Sequence, residues 1–203
     1  GALRDGVEIM RQMWTQGTAT YAGRYYTVDG AICAPRPLQG TSHPGSRHNG
    51  IPMWVAGGGE KVTLKIAAQY ADYTNFLGDV EEFSRKDAIL REHCTALGRD
   101  ESEIVRSANF NVLIGDTEVE VRERIDEYVA RRVAAGLDEA MCRKEADSFV
   151  RAGTAGTPEQ IAESLAAYEN AGLGYAIIYF PEAAYDTTGM AAFERAVLPD
   201  LRG

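Results

Sequence analysis

Apolar residues recur along the chain with two different spacings, and their alternation predicts strands followed by helices. From Leu3 to Trp14 they recur every three or four residues, which is the spacing of one helix face. Nearly continuous apolar runs at 52–56, 107–114 and 174–180 predict strands that are buried on both faces. Further helical patterns cover residues 61–71, 80–97, 117–135, 137–151, 157–172 and 189–198. This alternation predicts an α/β fold with a parallel sheet covered by helices.

The first fifty residues depart from the alternation. Residues 18–28 carry β-branched and aromatic side chains around Gly23, which predicts a hairpin or a pair of short extended segments. Pro35 and Pro37 favour extended backbone after it. The polar stretch 38–50 contains glycine and proline and predicts an irregular loop.

Three predicted helices begin with capping signals. Asp79 precedes the helix predicted at 80–97 and has the side chain of an N-cap. Thr117–Glu120 and Thr157–Gln160 both fit the capping box, and the second box adds proline at the first helical position. Because that box uses the threonine hydroxyl, capping is favoured there over anion binding. A fourth, short strand before Gly156 is left open.

Composition narrows the classes of partner. The 203 residues are 45% hydrophobic and carry a formal net charge of −9, which suits a globular core and argues against nucleic acid or an anionic membrane as main partner. No apolar run reaches the ~20 residues that span a bilayer. The three cysteines are widely spaced, which favours a reduced, cytoplasmic setting. His43 and His48 lack a nearby carboxylate or thiol, so no metal site is expected.

The strongest chemical signal is the run Gly57–Gly59, which separates the apolar stretch 52–56 from the helix predicted to begin at Lys61. Glycines let a ligand approach the backbone, and the first N–H groups of a helix lack intrahelical partners and carry a partial positive charge. These features favour an anion, most simply the phosphate of a cofactor. The run matches neither the dinucleotide-binding pattern nor the P-loop. A tight connection without a ligand is therefore an equal alternative.

Several short motifs occur in an order and at a spacing that are specific only when taken together. They are Leu3–Trp14, Tyr21–Tyr26, Pro35–Pro37, Ile51–Gly59, Ala67–Asp72 with Asn75, Gly156–Gln160, Ala171–Gly172 with the strand at 175–180, and Pro199–Leu201. In this order they resemble the luciferase-like monooxygenase superfamily, whose flavin- and deazaflavin-dependent members are (β/α)8 TIM barrels. The resemblance runs essentially from end to end.

A complete barrel needs eight strands and usually ~250 residues. The three predicted strands, with a fourth left open, therefore imply the later half of a barrel, most simply a fragment. Residues 1–203 are expected to form a single luciferase-like domain portion, with a helix, hairpin and loop insertion at 1–50 and the later strand–helix units at 51–203. The family's catalytic residues would lie mostly before Gly1, so none is assigned.

The resemblance implies a cofactor site at the carboxyl ends of the strands. It favours coenzyme F420 over FMN, and both carry a phosphate. Thr63 would add a hydroxyl donor and Asn75 would lie on the mouth side, whereas a solvated face is the favoured place for Lys61. The predicted cofactor-binding residues are Ala56, Gly57, Gly58, Gly59, Thr63 and Asn75.

Other polar residues are weighed against structural roles. Asn109 and Asn111 alternate along one strand, so both point the same way, and they are candidates for a polar layer inside the barrel. Glu182 is considered for substrate contact and Arg151 for an anionic tail, although solvent is the ordinary place for both. Asp72 is expected to bond backbone N–H groups.

Three functions remain open at this point. The first is an oxidoreductase that transfers a hydride between reduced F420 or FMN and a small organic substrate, with the cofactor supplying the chemistry. The second is a non-catalytic flavin-binding or scaffold domain with an incomplete barrel. The third is an α/β domain whose turn binds phosphate but no flavin. Because an incomplete barrel exposes strand edges, a homo-oligomer is also expected.

Overall fold

The computed structural model describes residues 1–38 and 51–202, and within them the predicted alternation of strands and helices is confirmed. His43, His48 and nearly all of the predicted loop 38–50 lie outside the described residues. The elements are α1 (Ala2–Gln16), β1 (Thr18–Ala22), β2 (Thr27–Ile32), β3 (Trp54–Ala56), α2 (Thr63–Tyr70), β4 (Tyr73–Asn75), α3 (Val80–Ala96), β5 (Val105–Asn111), β6 (Leu113–Ile114), α4 (Glu118–Ala134), α5 (Glu139–Arg151), β7 (Ala155–Gly156), α6 (Pro158–Asn170), β8 (Tyr175–Tyr179) and α7 (Thr188–Ala196).

The chain divides into two compact units, the first of which comprises residues 1–75 and 88–106. Here β1 and β2 form an antiparallel hairpin, which confirms the hairpin predicted at 18–28, and α1 packs on it. The strands β3 and β4 pair in parallel, with Ala56 opposite Asn75. This register brings the end of β3 beside the end of β4.

Asp72 joins the starts of the two parallel strands of this unit. Its Oδ2 accepts a hydrogen bond from the Met53 N–H at 2.7 Å, and its own N–H donates to the Met53 carbonyl at 3.0 Å. The side chain is buried, so this pairing also satisfies a carboxylate that water cannot reach. The backbone-bonding role expected of Asp72 is thereby confirmed.

The second unit comprises residues 76–87 and those from 107 onward. In it β5 pairs in parallel with β8, and β6 pairs in parallel with β7. Tyr168 of α6 is fully buried, with its ring centroid 4.9 Å from that of Phe110 and 5.8 Å from that of Phe83. The helices α4 and α5 enclose a smaller core of Leu113, Tyr128, Val129, Cys142, Ala146 and Phe149.

The capping signals at the starts of α3 and α4 are confirmed, but at α4 the Glu120 carboxylate has a different hydrogen-bond donor from the one predicted. Asp79 Oδ1 accepts from the Glu82 N–H at 2.9 Å. Thr117 Oγ1 accepts from the Glu120 N–H at 3.2 Å, but the Glu120 carboxylate accepts from the Asp116 N–H at 2.7 Å and not from that of Thr117. In the capping box at α4, the carboxylate therefore bonds the backbone N–H one residue before the N-cap.

The strands differ from the sequence prediction in two places. The strand β4 was not predicted, because three residues directly after a helix are too few to give an alternating pattern. The run 107–114 divides into β5 and β6, because the N–H of the intervening Val112 donates to the Tyr179 carbonyl while Leu113 turns to pair with β7. The short strand left open before the last capping box is present as β7. The single domain expected over 1–203 stays a prediction.

Candidate functional site

The glycine turn follows β3 directly and lies beside the end of β4. Gly57 has a φ of 117°, in the left-handed region that favours glycine. Its N–H donates to the Asn75 carbonyl at 2.7 Å. Because Ala56 and Asn75 are also partners in the strand register, the structure brings three of the predicted site residues together.

Thr63 is the first residue of α2, and its side chain packs against the glycine turn. A Cβ added to Gly59 would lie 2.9 Å from Thr63 Oγ1, and one added to Gly57 would lie 3.3 Å from Thr63 Cγ2. This packing explains why both positions are glycine, even if the turn is only a tight connection without a ligand. It also places a hydroxyl beside bare backbone. A cradle that a Cβ would fill, with a hydroxyl at its edge, fits a phosphate group.

The start of α2 has no cap of its own. The N-cap residue is Val62, no side chain bonds the helix start from that position, and the first turn contains no acidic residue. The helix begins at Thr63 and not at Lys61, because the segment 60–62 forms a turn in which the Leu64 N–H reaches back to the Gly59 carbonyl at 3.0 Å. Glu60 lies in the turn before the helix and not in its first turn. An uncapped helix start without an acidic residue in its first turn favours an anion.

Two side chains of the same unit hold α2 and the turn before it in place. The guanidinium of Arg99 is buried and donates to the carbonyls at the end of α2, at 2.8 Å to Ala68 and 2.6 Å to Ala71. It thereby satisfies carbonyls that a helix end leaves without partners. His93 Nε2 lies 2.9 Å from the Glu60 carbonyl, and because a carbonyl can only accept, Nε2 carries the proton. Neither residue gave a local sequence signal, because each acts across about thirty positions.

A second strand-to-helix connection, between β7 and α6, is closed by its own side chains. The Thr157 N–H donates to Gln160 Oε1 at 2.9 Å, and Thr157 Oγ1 accepts from the Gln160 N–H at 3.5 Å. Pro158 has no N–H to offer, and the Glu159 carboxylate accepts its own backbone N–H and the Thr157 hydroxyl, which lower its pKa. The predicted capping role of Thr157 is confirmed, and no donor is left there for an anion.

A pocket of about 320 Å³ lies within the second unit at the carboxyl end of β5. Asn109, Asn111 and Arg151 are among its lining residues. The shared direction predicted for the two asparagines is confirmed, since both are exposed while Phe110 between them is buried. They are not a buried polar layer. Arg151 is exposed, and within the described residues it has no ion-pair partner.

Glu182 is buried in the turn that precedes α7. It is only 2% exposed, and its Oε1 occupies the space that a Cβ on Gly189 would fill. Arg124 Nη1 is 3.9 Å from Oε1, and among the described residues neither carboxylate oxygen accepts a hydrogen bond. Burial raises the pKa of Glu182. Its position away from solvent argues against contact with a substrate.

No cluster of metal-binding side chains occurs among residues 1–38 and 51–202. In the same part of the chain, every helix is too short or too polar to cross a lipid bilayer.

Comparison with known proteins places the chain in a family. Residues 1–174 match the family model described as luciferase-like monooxygenase, so the chain belongs to that family. It is 24% identical over 221 residues to an F420-dependent glucose-6-phosphate dehydrogenase of Mycolicibacterium gilvum, covering 98% of this chain and 60% of that protein. It is 32% identical over 81 residues to the pyrimidine monooxygenase RutA of Allorhizobium ampelinum, covering 40% of this chain and 19% of that protein.

The fold is shared with enzymes of the same family. The coenzyme F420-dependent tetrahydromethanopterin reductase of Methanopyrus kandleri superposes with a TM-score of 0.72 at 19% identity, covering 98% of this chain and 62% of that one. The predicted fold class, an α/β fold of the luciferase-like TIM-barrel type with part of the barrel present, is confirmed. The chain spans about 60% of the length of the dehydrogenase and of the reductase.

Proposed function

We propose that this chain forms the cofactor-binding part of an oxidoreductase that transfers a hydride between reduced coenzyme F420 and a small organic substrate, with FMN as the alternative cofactor. The observation that carries the proposal is the open glycine turn before α2. There Gly57 takes a left-handed conformation, Thr63 lies beside bare backbone, and the first helical turn contains no acidic side chain. This combination suits a phosphate group.

Five of the six predicted site residues have a role in this proposal. The backbone of Gly58 and Gly59 and the hydroxyl of Thr63 would bind the cofactor phosphate, while Gly57 and Asn75 fix the turn through their shared hydrogen bond. When bound, F420 or FMN supplies the ring that accepts or donates the hydride, and the protein binds and orients it. The choice of F420 is supported by relatives named for that coenzyme, and FMN stays the alternative.

The pocket of the second unit is proposed to bind the organic substrate. Carboxamides such as Asn109 and Asn111 can both donate and accept hydrogen bonds, and Arg151 can pair with a carboxylate or phosphate. Polar or anionic organic molecules fit this set of groups better than hydrocarbons do. The cytoplasmic setting and the homo-oligomer stay predictions.

Titration of the chain with F420 and with FMN, followed by cofactor fluorescence, tests the proposal. Saturable binding of one cofactor is expected, and it would also choose between the two. Binding without turnover, when candidate substrates are added to the longer protein, would favour the non-catalytic alternative. If neither cofactor binds this chain or a longer one, the glycine turn is only a connection between strand and helix.

Arg151→Gln tests the substrate pocket separately. It should raise the KM for an anionic substrate in the longer protein without weakening the affinity for the cofactor. Lys144→Gln, an exposed cation of the same helix that lies outside the pocket, is the matched control. An unchanged KM in the Arg151 variant would remove this pocket from the substrate site.

A further inference from the structure

We propose that a basic cleft between the beginnings of α1 and α2 binds a multiply charged anion, at a position separate from the glycine turn. The cleft has a volume of about 290 Å³ and lies within the first unit. Its polar lining is cationic: Arg4 comes from α1, Lys61 from the turn before α2, and Lys65 from α2 itself. The aliphatic side chains of Val62 and Ile66 form the rest of the wall, with Gly1 at one side.

In the part of the chain that the structure describes, the three cations of this cleft are not paired in salt bridges. Within the described residues, none of Arg4, Lys61 and Lys65 forms an ion pair or a hydrogen bond, and no acidic side chain lines the cleft. Asp5, next to Arg4 in α1, accepts a hydrogen bond from the Tyr25 N–H at 2.7 Å, and Glu8, one turn after Arg4, accepts one from the Tyr70 hydroxyl. Glu60 precedes Lys61 along the chain but does not line the cleft. Since like charges around one cleft repel each other, an anion between them would stabilise the arrangement.

This grouping runs against the composition of the chain. The whole sequence has 30 acidic and 21 basic residues, and most arginines in the structure have a carboxylate within salt-bridge distance, as Arg99, Arg106 and Arg143 do. Three cations around one concave surface, without a salt bridge to any described residue, contrast with these paired arginines. They indicate a ligand with phosphate groups or clustered carboxylates.

The cleft is close enough to the glycine turn for one ligand to reach both. Lys61 follows Gly59 by two residues, which limits their Cα separation to about 7.6 Å. Two sources share the required chemistry: a second anionic group of the bound cofactor, and a separate anionic metabolite. The proposal concerns the cleft itself and does not depend on which cofactor, if any, the glycine turn binds.

Calorimetric titration of the chain with tripolyphosphate tests the proposal directly. Saturable binding is expected, and it should weaken as salt is raised because the charges are exposed. Lys61→Gln, Lys65→Gln and Arg4→Gln should each raise the Kd roughly three- to tenfold, as loss of one near-surface charge predicts. Lys144→Gln and Arg122→Gln remove the same charge from exposed positions outside the cleft, and they should leave the Kd unchanged.

Two results would overturn the proposal: absence of saturable binding to the wild-type chain, or equal weakening by the cleft variants and by the two control variants. Because all five substituted side chains are exposed, their folding can be verified from an unchanged circular dichroism spectrum. Excess F420 that displaces tripolyphosphate would identify the cofactor as the source of the anion, and simultaneous binding would identify a separate metabolite. If the chain does not bind F420 but does bind tripolyphosphate, the proposal for the glycine turn fails and the proposal for the basic cleft stands.

Discussion

Two strand-to-helix connections in this molecule have the same local order and opposite chemistry. Between β3 and α2 the chain supplies Gly57–Gly59, no side-chain cap and no acidic residue in the first helical turn. Between β7 and α6 it supplies a complete capping box, proline at the first helical position and Glu159 in the first turn. The first connection leaves the helix start available to an anion, and the second uses its donors internally and adds a negative charge.

This difference shows that a helix start is a binding site only where the chain itself does not satisfy it. Capping of the kind made by Thr157 typically contributes about 1 kcal/mol to stability, so giving it up at α2 has a cost. The cost at α2 is offset elsewhere in the same unit, by the buried Arg99 at the other end of the helix and by His93 on the preceding turn. The support for α2 thus comes from residues distant in sequence and not from a cap at the helix start, which stays available for binding.

The largest expected effect comes from closing the open connection. Gly58→Asp would add bulk and a negative charge where the cofactor phosphate is proposed to lie, so the affinity for F420 or FMN should fall at least about a hundredfold, through repulsion and lost space. Fluorescence titration measures it. Gly6→Asp is the matched control, because a Cβ at Gly6 in α1 meets nothing within 4 Å. Equal affinity in the Gly58 variant and the wild type would remove the glycine turn from the site.

Loss of the support at the far end of α2 should have the next largest effect. Arg99→Ala leaves the buried carbonyls of Ala68 and Ala71 without a donor, so the free energy of unfolding should fall by about 2 kcal/mol. Urea denaturation measures this change. Arg85→Ala removes a pair at 4.0 Å whose side chains are 53% and 45% exposed, and it should cost less than about 0.5 kcal/mol. Similar losses in both variants would mean that Arg99 does not hold the helix.

Loss of the threonine hydroxyl at each connection should affect a different property, stability at α6 and cofactor affinity at α2. Thr157→Ala should lower the free energy of unfolding by about 1 kcal/mol and leave cofactor affinity unchanged, because its hydroxyl serves only the helix start. Thr63→Val keeps the shape of the side chain against Gly59 and removes the hydroxyl. It should leave stability nearly unchanged and weaken cofactor binding roughly tenfold, as loss of one hydrogen bond predicts. If both variants changed only stability, the contrast between the two connections would be lost.

The sequence predicted the two connections unequally, for a physical reason. The capping box at Thr157–Gln160 is local, so its residues could be named in advance together with their role. The glycine turn was also visible, but its supports were not, because Arg99 and His93 reach α2 and its preceding turn from about thirty residues away. The strand β4 was missed because it is only three residues long, although Asp72 directly before it and Asn75 at its end had both been singled out. Local chemistry was predictable, and the tertiary contacts that position it were not.

The smallest expected effect is on the pH dependence of stability, and it comes from two buried carboxylates, one hydrogen-bonded and one not. Asp5 in the first unit is satisfied: donation from the Tyr25 N–H lowers its pKa most, burial opposes this, and the Tyr26 N–H and Tyr21 hydroxyl add to it. Glu182 in the second unit accepts no hydrogen bond among the described residues, and burial raises its pKa. The two groups should therefore make stability depend on pH in opposite directions.

The direction of each pH effect depends on whether the folded or the unfolded state binds the proton more weakly. Asp5 contributes stability above its unfolded pKa, near 3.8, and this contribution is lost as the pH falls through the lower folded value. Glu182 is destabilising when ionised, so stability is regained as the pH falls through its raised folded pKa. Asp5→Asn should then lower the Tm at pH 7 and flatten its decline below pH 4, whereas Glu182→Gln should raise the Tm at pH 7 and have less effect at pH 4. A lower Tm at pH 7 in the Glu182 variant would show that the Arg124 contact, 3.9 Å away, outweighs the burial of the charge.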